Sequence, residues 1–235
     1  MPMPVTLTID GQTLTATAGE TVLSVALRYG IYVPNLCALG EITDPPASCR
    51  LCFVEVEGYD EPVTSCSEPV KEGLVVSTQG ARALRLARTS AELLLSKHPV
   101  DCGRCAKNRA CELQKIARHL GIKLKPKRFR RLESNLPIDE SSPTVVYDAN
   151  KCVLCGRCVW VCRDRLGIGA IGFTRRGLKR RVSTFEDRPL AESRCRHCGE
   201  CARVCPVGAF VLKDQKYTQE LRPGEKIGET PHRSG

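Results

Sequence analysis

The stretch Cys152-Val-Leu-Cys155-Gly-Arg-Cys158-Val-Trp-Val-Cys162 returns later in the chain as Cys195-Arg-His-Cys198-Gly-Glu-Cys201-Ala-Arg-Val-Cys205-Pro206. Both copies carry four cysteines at the spacing C-x2-C-x2-C-x3-C. This spacing lets three thiolates surround one corner of a cubane iron–sulfur core, while the fourth reaches a neighbouring core. Two copies of one motif predict a module with internal pseudo-twofold symmetry over residues 144–212.

Crossed ligation divides the eight cysteines into two sets, each expected to hold one [4Fe-4S] cluster. Pro206, directly after the last cysteine, completes the pattern of bacterial-type ferredoxins. A pair of structural zinc sites is the alternative, because C-x2-C also occurs in zinc knuckles. Two complete motifs favour iron–sulfur ligation. The predicted sets are Cys152, Cys155, Cys158 and Cys205 for one cluster, and Cys195, Cys198, Cys201 and Cys162 for the other.

The first 78 residues have the pattern of a compact α+β unit. Residues 5–10 alternate apolar and polar, and Asp10-Gly11 predicts a hairpin turn into residues 13–17. Residues 20–29 have helical spacing and stop at Gly30. Residues 53–57 and 74–77 have the composition of strands.

Four cysteines of this unit, Cys37, Cys49, Cys52 and Cys66, have the spacing C-x11-C-x2-C-x13-C. Four thiolates on loops that close near one surface can hold a [2Fe-2S] cluster. The spacing departs from the plant-type C-x4-C-x2-C pattern. Zinc or unligated core cysteines are the alternatives at this point.

Residues 79–121 carry His98-Pro-Val-Asp-Cys102-Gly-Arg-Cys105, and then Cys111. His98 stands at the end of a predicted helix over residues 81–97, and a short helix is predicted over residues 110–120. A [4Fe-4S] cluster with one histidine ligand would use all four groups and would explain an odd total of 15 cysteines. Alone, His98 would be interpreted as a helix-end residue near free carbonyl groups, but the neighbouring cysteines favour ligation.

Together these motifs resemble the N-terminal region of the large iron–sulfur subunit of respiratory complex I. The same order occurs in iron-only hydrogenases, in NAD-linked formate dehydrogenases and in the small diaphorase subunit of soluble NAD-linked hydrogenases. The resemblance covers roughly residues 1–212. It implies a β-grasp domain around the [2Fe-2S] cluster, a histidine ligand at His98, and three [4Fe-4S] clusters in all.

Composition limits the remaining function classes. No signal-like N-terminus or membrane-span window is found, so a cytoplasmic chain with reduced thiols is expected. The formal net charge of +10 makes nucleic-acid binding a function to consider. The dense basic run over residues 123–131 has no base-stacking aromatic set or helix-turn-helix pattern beside it, which argues against nucleic-acid binding. Residues 122–143 are interpreted as a linker and residues 213–235 as a polar tail.

Two further stretches need interpretation. Gly167-Ile-Gly169-Ala-Ile-Gly172 matches G-x-G-x-x-G, but it follows a cluster cysteine and not a buried strand. It is therefore interpreted as a tight turn. The basic residues beyond it are expected to form either a docking surface or a solvated loop; they are Arg175, Arg176, Lys179, Arg180 and Arg181.

The sequence thus predicts an electron-transfer chain with no catalytic residue of its own. The resemblance implies two partners, a flavoprotein subunit that reacts with NAD(P)(H) and a substrate-converting subunit such as a hydrogenase or formate dehydrogenase. A diffusing polyferredoxin and a zinc-stabilised basic binding protein are the alternatives.

Overall fold

The computed structural model describes residues 3–42, 44–132 and 134–214. Helices and strands are mixed along the chain, as predicted for an α+β protein. The predicted polar tail lies outside the described residues from residue 215 onward. Within the described ranges, no helix combines the length and the apolar composition needed to cross a lipid bilayer.

The N-terminal segment forms a five-stranded sheet with the order β2-β1-β5-β3-β4. The predicted hairpin is confirmed, because Asp10 and Gly11 both have positive φ, at 49° and 80°, in the two-residue turn. Strand β1 pairs in parallel with β5, and the other pairs are antiparallel. The short strand β4 was not predicted. The strands are β1 Pro4–Ile9, β2 Gln12–Thr17, β3 Phe53–Val56, β4 Val63–Thr64 and β5 Leu74–Ser77.

Helix α1, Val22–Arg28, packs on this sheet. It is shorter than the predicted 20–29 because Thr21 is the N-cap: its hydroxyl oxygen accepts a hydrogen bond from the Ser24 amide at 3.2 Å. Its buried residues include Val22 and Val25, which join the sheet residues in one apolar core. The N-terminal segment therefore has a core made largely of aliphatic side chains.

Helix α2, Ala81–Lys97, has the bounds predicted from the sequence. Its N-terminus is capped from outside the helix, because Glu55 Oε1 on β3 accepts the amides of Arg82 at 2.8 Å and Ala83 at 3.2 Å. The helix ends at His98, directly before Pro99. One end of α2 is thus attached to the N-terminal sheet, and the other end presents His98.

Helix α3 runs over Glu112–His119, within the predicted 110–120. It starts late because Cys111 is in an extended conformation at the N-cap position. Its buried residues Leu113, Ile116 and Ala117 face the larger of two apolar cores. This helix therefore closes the segment that carries Cys102, Cys105 and Cys111.

The C-terminal segment repeats its own architecture. Helix α4, Arg157–Trp160, follows Gly156 with φ 82°, and helix α5, Glu200–Val204, follows Gly199 with φ 78°. The predicted pseudo-twofold repeat is visible in these equivalent turns. Strands β6 and β9 pair, as do β7 and β8; none of these four strands was predicted. The strands are β6 Val145–Tyr147, β7 Gly172–Thr174, β8 Arg181–Ser183 and β9 Phe210–Leu212.

The larger apolar core crosses all three segments. It joins Cys37 and Leu51 of the first segment, Ala91 and Leu113 of the helical segment (residues 79–121), and the cysteine loops of the C-terminal segment (residues 144–212). Described residues between 122 and 143 form no helix or strand, apart from an isolated bridge between Asp139 and Tyr147. Cysteines of all three segments are therefore packed in or against one continuous interior.

Candidate iron–sulfur centres

Two cavities in the C-terminal segment are each lined by one of the crossed cysteine sets. Cys205 lies with Cys152, Cys155 and Cys158 around one cavity. Cys162 lies with Cys195, Cys198 and Cys201 around the other. The fold brings each distant cysteine to the predicted trio, so each set could hold one [4Fe-4S] core.

Backbone amides point at the sulfurs from equivalent positions of the two repeats. The Leu154 amide donates to Cys152 Sγ and the His197 amide to Cys195 Sγ, both at 3.4 Å. Leu154 and His197 have positive φ, at 55° and 53°, which turns their amides toward the cysteine two residues before. Such N–H···S contacts stabilise negative charge on sulfur and raise a cluster's potential.

The fourth cysteine of each repeat has its own amide donor. Cys162 lies on a π-helical continuation of α4, Val161–Arg165, and its Sγ accepts the Ala170 amide at 3.3 Å. Cys205 Sγ accepts the Phe210 amide at 3.5 Å. Local π-helical turns are common at functional sites because they reorient a side chain.

The glycine run after Cys162 is a turn, as predicted. Gly167 and Gly169 have positive φ, and the amides of Ile168 and Gly169 donate to the Cys162 carbonyl at 2.8 and 3.0 Å. Gly172 then begins strand β7 and not a helix. The run therefore folds back on Cys162. It does not lie between a strand and a helix, as a dinucleotide-binding loop must.

Burial makes bare thiolates unfavourable in these cavities. It raises the pKa of Cys152 to about 11 and the pKa values of Cys155 and Cys201 to about 12. All 15 cysteines are free of disulfides, and Cys198 is the exposed one. Buried thiolates need compensating positive charge, which an iron–sulfur core would supply, so the donor sets fit that cofactor.

The first segment brings together its own four cysteines. Cys37, Cys49, Cys52 and Cys66 are at most 5% exposed, and the sulfurs of Cys37 and Cys49 are 3.5 Å apart. Hydrogen bonds with Cys49 and Cys66 lower the pKa of Cys37, and a hydrogen bond with Cys66 lowers the pKa of Cys52 to about 7. The four buried sulfurs lie together, so this group could bind a binuclear core after losing its protons.

In the helical segment Cys105 is buried, and Cys102 and Cys111 are half-buried. Burial first, and then the charges of Cys105 and Cys102, raise the pKa of Cys111. His98 Nδ1 lies 3.1 Å from the Lys151 carbonyl oxygen, and burial lowers the pKa of the imidazole to about 4. A neutral ring that donates through Nδ1 leaves Nε2 as a possible iron ligand.

Direct contacts join the three segments at their cysteine loops. A Cβ added to Gly208 would lie 2.6 Å from Cys105 Sγ, and the Glu112 amide donates to the Pro206 carbonyl at 3.0 Å. Arg157 Nη2 donates to Asn35 Oδ1 at 3.3 Å. These contacts were not predicted, since they join residues far apart in sequence.

No three of the described His, Cys, Asp or Glu side chains converge closely enough to hold one metal ion directly.

Three protein families match consecutive parts of the chain. Residues 3–81 match a 2Fe-2S iron–sulfur cluster binding domain. Residues 88–125 match the iron–sulfur binding region of NADH-ubiquinone oxidoreductase-G. Residues 142–211 match the ferredoxin-like domain of NADH-quinone oxidoreductase subunit 3. The chain therefore carries both 2Fe-2S and 4Fe-4S binding domains.

A chain in the crystal structure of an NAD⁺-reducing [NiFe]-hydrogenase in the H₂-reduced state has the same fold. The TM-score is 0.80 and the identity 33%, over 89% of this chain and 87% of that one. The chain belongs to the iron–sulfur subunit family shared by complex I and NAD-linked hydrogenases. The predicted resemblance is confirmed.

Other members of this family are longer proteins. The NADP-reducing hydrogenase subunit HndD of Solidesulfovibrio fructosivorans is 39% identical over 92% of this chain and 37% of its own length. The mitochondrial NADH-ubiquinone oxidoreductase 78 kDa subunit of Neurospora crassa is 30% identical over 95% of this chain and 29% of its own. The chain thus spans about a third of the length of these curated relatives.

Proposed function

We propose that this chain is the iron–sulfur relay of a multi-subunit NAD(P)(H)-linked oxidoreductase. It passes electrons between a flavoprotein subunit that reacts with NAD(P)(H) and a substrate-converting subunit such as a hydrogenase or formate dehydrogenase. The carrying observation is the single apolar core that contains cysteines of the first group and of the Cys152 set, with the partly buried Cys111, Cys162, Cys195 and Cys201 packed against it. One interior around several one-electron centres gives the short, dry separations that electron transfer needs.

The proposed cofactors are one [2Fe-2S] and three [4Fe-4S] clusters. A β-grasp domain over residues 1–78 holds the binuclear cluster through Cys37, Cys49, Cys52 and Cys66. Residues 79–121 hold a [4Fe-4S] cluster through His98, Cys102, Cys105 and Cys111. Residues 144–212 hold two more through the crossed sets, and residues 122–143 are the linker. When bound, these clusters supply reversible one-electron storage.

The chain's own contacts bring the cysteine groups together. In the C-terminal segment, Phe210 lines the cavities of both crossed sets, so the two sets are neighbours. Cys105 packs against Gly208 and so brings the helical segment to the loop that follows Cys205. The bond between Arg157 and Asn35 joins the first segment to the same module. The chain itself orients the centres, excludes water and donates amides to sulfur.

The proposal for partners is supported by the family. The similar proteins are named as subunits of a NADP-reducing hydrogenase and of an NADH-ubiquinone oxidoreductase. The competing function is a polyferredoxin that diffuses between enzymes, which would be stable as a monomer.

Anaerobic purification of the tagged protein from its native host tests the proposal. We expect about 14 irons per chain, from one cluster of two and three of four. We also expect a flavoprotein and a hydrogenase or molybdenum subunit to co-purify, identified by mass spectrometry. Protein that holds four irons or fewer contradicts the cluster assignment. Fully loaded protein that arrives alone and monomeric supports the diffusing polyferredoxin.

A further inference from the structure

A basic cleft opens at the β7–β8 hairpin of the C-terminal segment, and Cys152 is the one cysteine among the described residues that line it. It has a volume of about 470 Å³, and its walls carry Lys97, Arg175, Lys179, Arg180 and Arg181. A second cavity of about 270 Å³ shares Lys97, Ser134 and Leu178 with it and adds Arg130 and Arg131. None of the described residues lining the two cavities is acidic. The cleft therefore concentrates positive potential in one concave surface.

Nearby acids compensate this charge only in part. Asp187 pairs with Arg175 at 2.9 Å and with Arg181 at 2.6 Å. Lys179 forms no ion pair with a described residue, and Arg180 stacks over the Phe173 ring at 4.3 Å. One carboxylate thus serves two guanidinium groups, and the cationic tip of the β7–β8 hairpin is left facing solvent.

Exposed apolar side chains accompany these charges. Leu178, at the tip of the hairpin and on the rim of both cavities, is 72% exposed, and Phe185, just after β8, is 79% exposed. Large exposed apolar residues beside arginines are typical of a protein interface, in which aromatic and aliphatic anchors are surrounded by a polar rim. A small anion would not contact exposed apolar side chains. The combination of basic and exposed apolar residues therefore favours a protein partner.

The cleft also lies over two candidate cluster sites. Cys152 lines its floor. Lys97, in its wall, precedes His98 and donates from Nζ to the Leu178 carbonyl at 2.9 Å. His98 in turn bonds to the carbonyl of Lys151, the residue before Cys152. A partner bound here would approach both the Cys152 set and the His98 group through a few packed residues.

We propose that this cleft is the docking surface for an acidic, electron-exchanging protein partner. Carboxylates of the partner enter the cleft, Leu178 inserts into an apolar depression of the partner, and one electron crosses near Cys152. The reduced carrier loses one electron and is oxidised, and one cluster of this chain accepts that electron and is reduced. This inference rests on the proposed relay function.

The test uses the full, anaerobically loaded chain and reduced flavodoxin, an acidic one-electron carrier, as the probe. Cluster reduction is followed by stopped-flow absorbance at several salt concentrations. The variant Leu178→Ser/Lys179→Glu/Arg180→Glu removes the anchor and reverses two charges. The control Lys123→Glu/Lys125→Glu also reverses two lysines, at exposed positions that line neither cavity. Reduced methyl viologen, a small cation, reports separately whether the clusters are intact.

We expect a wild-type rate with flavodoxin that falls as salt rises, and a loss of about tenfold or more in the cleft variant at low salt. The control variant should stay within about twofold of wild type, and viologen should reduce all three proteins. Equal rates in the cleft variant and wild type, or an equal loss in the control, would overturn the docking proposal. Inhibition by millimolar inorganic phosphate, beyond that of chloride at equal ionic strength, would assign the cleft to a small anion. Failure of viologen to reduce the wild type would instead count against the relay function.

Discussion

The imidazole Nδ1 of His98 lies 3.1 Å from the backbone carbonyl oxygen of Lys151. This bond joins the end of α2 to the residue that precedes Cys152, so it connects two candidate cluster sites. It also fixes the tautomer, because a carbonyl oxygen accepts only from a protonated nitrogen. Nε2 is then the nitrogen with a free lone pair. The group that orients the ring is the Lys151 carbonyl oxygen, a backbone atom that no side-chain substitution removes.

Replacing His98 by cysteine should keep the cluster and lower its potential. A thiolate adds negative charge where a neutral imidazole stood, and histidine ligation raises cluster potentials. We expect a decrease on the order of 100 mV at this cluster. Redox titration monitored by electron paramagnetic resonance measures it.

The matched control for that substitution is His119→Ala. His119 packs edge-on against the Tyr32 ring at 4.8 Å and belongs to no cysteine group. The His119→Ala substitution should leave every midpoint potential unchanged. Nitrogen couplings in pulsed resonance spectra should be present in wild type and His119→Ala, and absent in His98→Cys. A coupling that survives in His98→Cys would exclude His98 as the ligand.

Gly208→Ala should disturb the cluster site of the helical segment. The new Cβ would stand 2.6 Å from Cys105 Sγ, and the sulfur would have to move by about 1 Å to reach normal contact. We expect this cluster to be lost or distorted, with iron falling from about 14 toward about 10 per chain. Gly103→Ala is the control, since nothing lies within 4 Å of its added Cβ although Gly103 lies between Cys102 and Cys105. Equal iron contents in the two variants would contradict the prediction.

Glu55→Ala should destabilise the junction between the N-terminal sheet and α2. The carboxylate accepts two amides at the first turn of α2, so its loss exposes donors that no other cap satisfies. A lost cap costs about 1 kcal/mol, which lowers the melting temperature by about 2–4 °C in a domain of this size. Calorimetry of the loaded protein measures the shift, with the exposed Glu57→Ala as control. A melting temperature equal to that of the control would show that the cap contributes nothing.

Local signals in the sequence predicted much of this architecture. The Asp10-Gly11 hairpin, the bounds of α2 and the cysteine repeat all depend on neighbouring residues and on regular spacing. Strands β6 to β9 were not predicted, because each has three residues and owes its conformation to its partner strand.

Contacts between segments could not be predicted in the same way. The cap from Glu55, the approach of Cys105 to Gly208 and the bond from Lys97 to Leu178 each join residues remote in sequence. Nothing in the sequence around Gly208 marks it as special. The need for glycine at this position is visible only in the structure, where Cys105 lies beside it. The candidate cysteine sets were predictable because their spacing is local; how the sets pack together was not.

Removing iron with an anaerobic chelator should unfold the C-terminal segment before the N-terminal one. Each strand of the C-terminal segment has three residues, and its interior is built around cysteines whose burial disfavours bare thiolates. The N-terminal sheet has an aliphatic core, with Leu7, Ile9 and Val22 at most 1% exposed. Hydrogen exchange should therefore show lost protection in β6 and β9 and retained protection in β1 and β5. Adding iron and sulfide back should restore protection in β6 and β9, whereas protection that persists there without iron would show that this segment folds without its clusters.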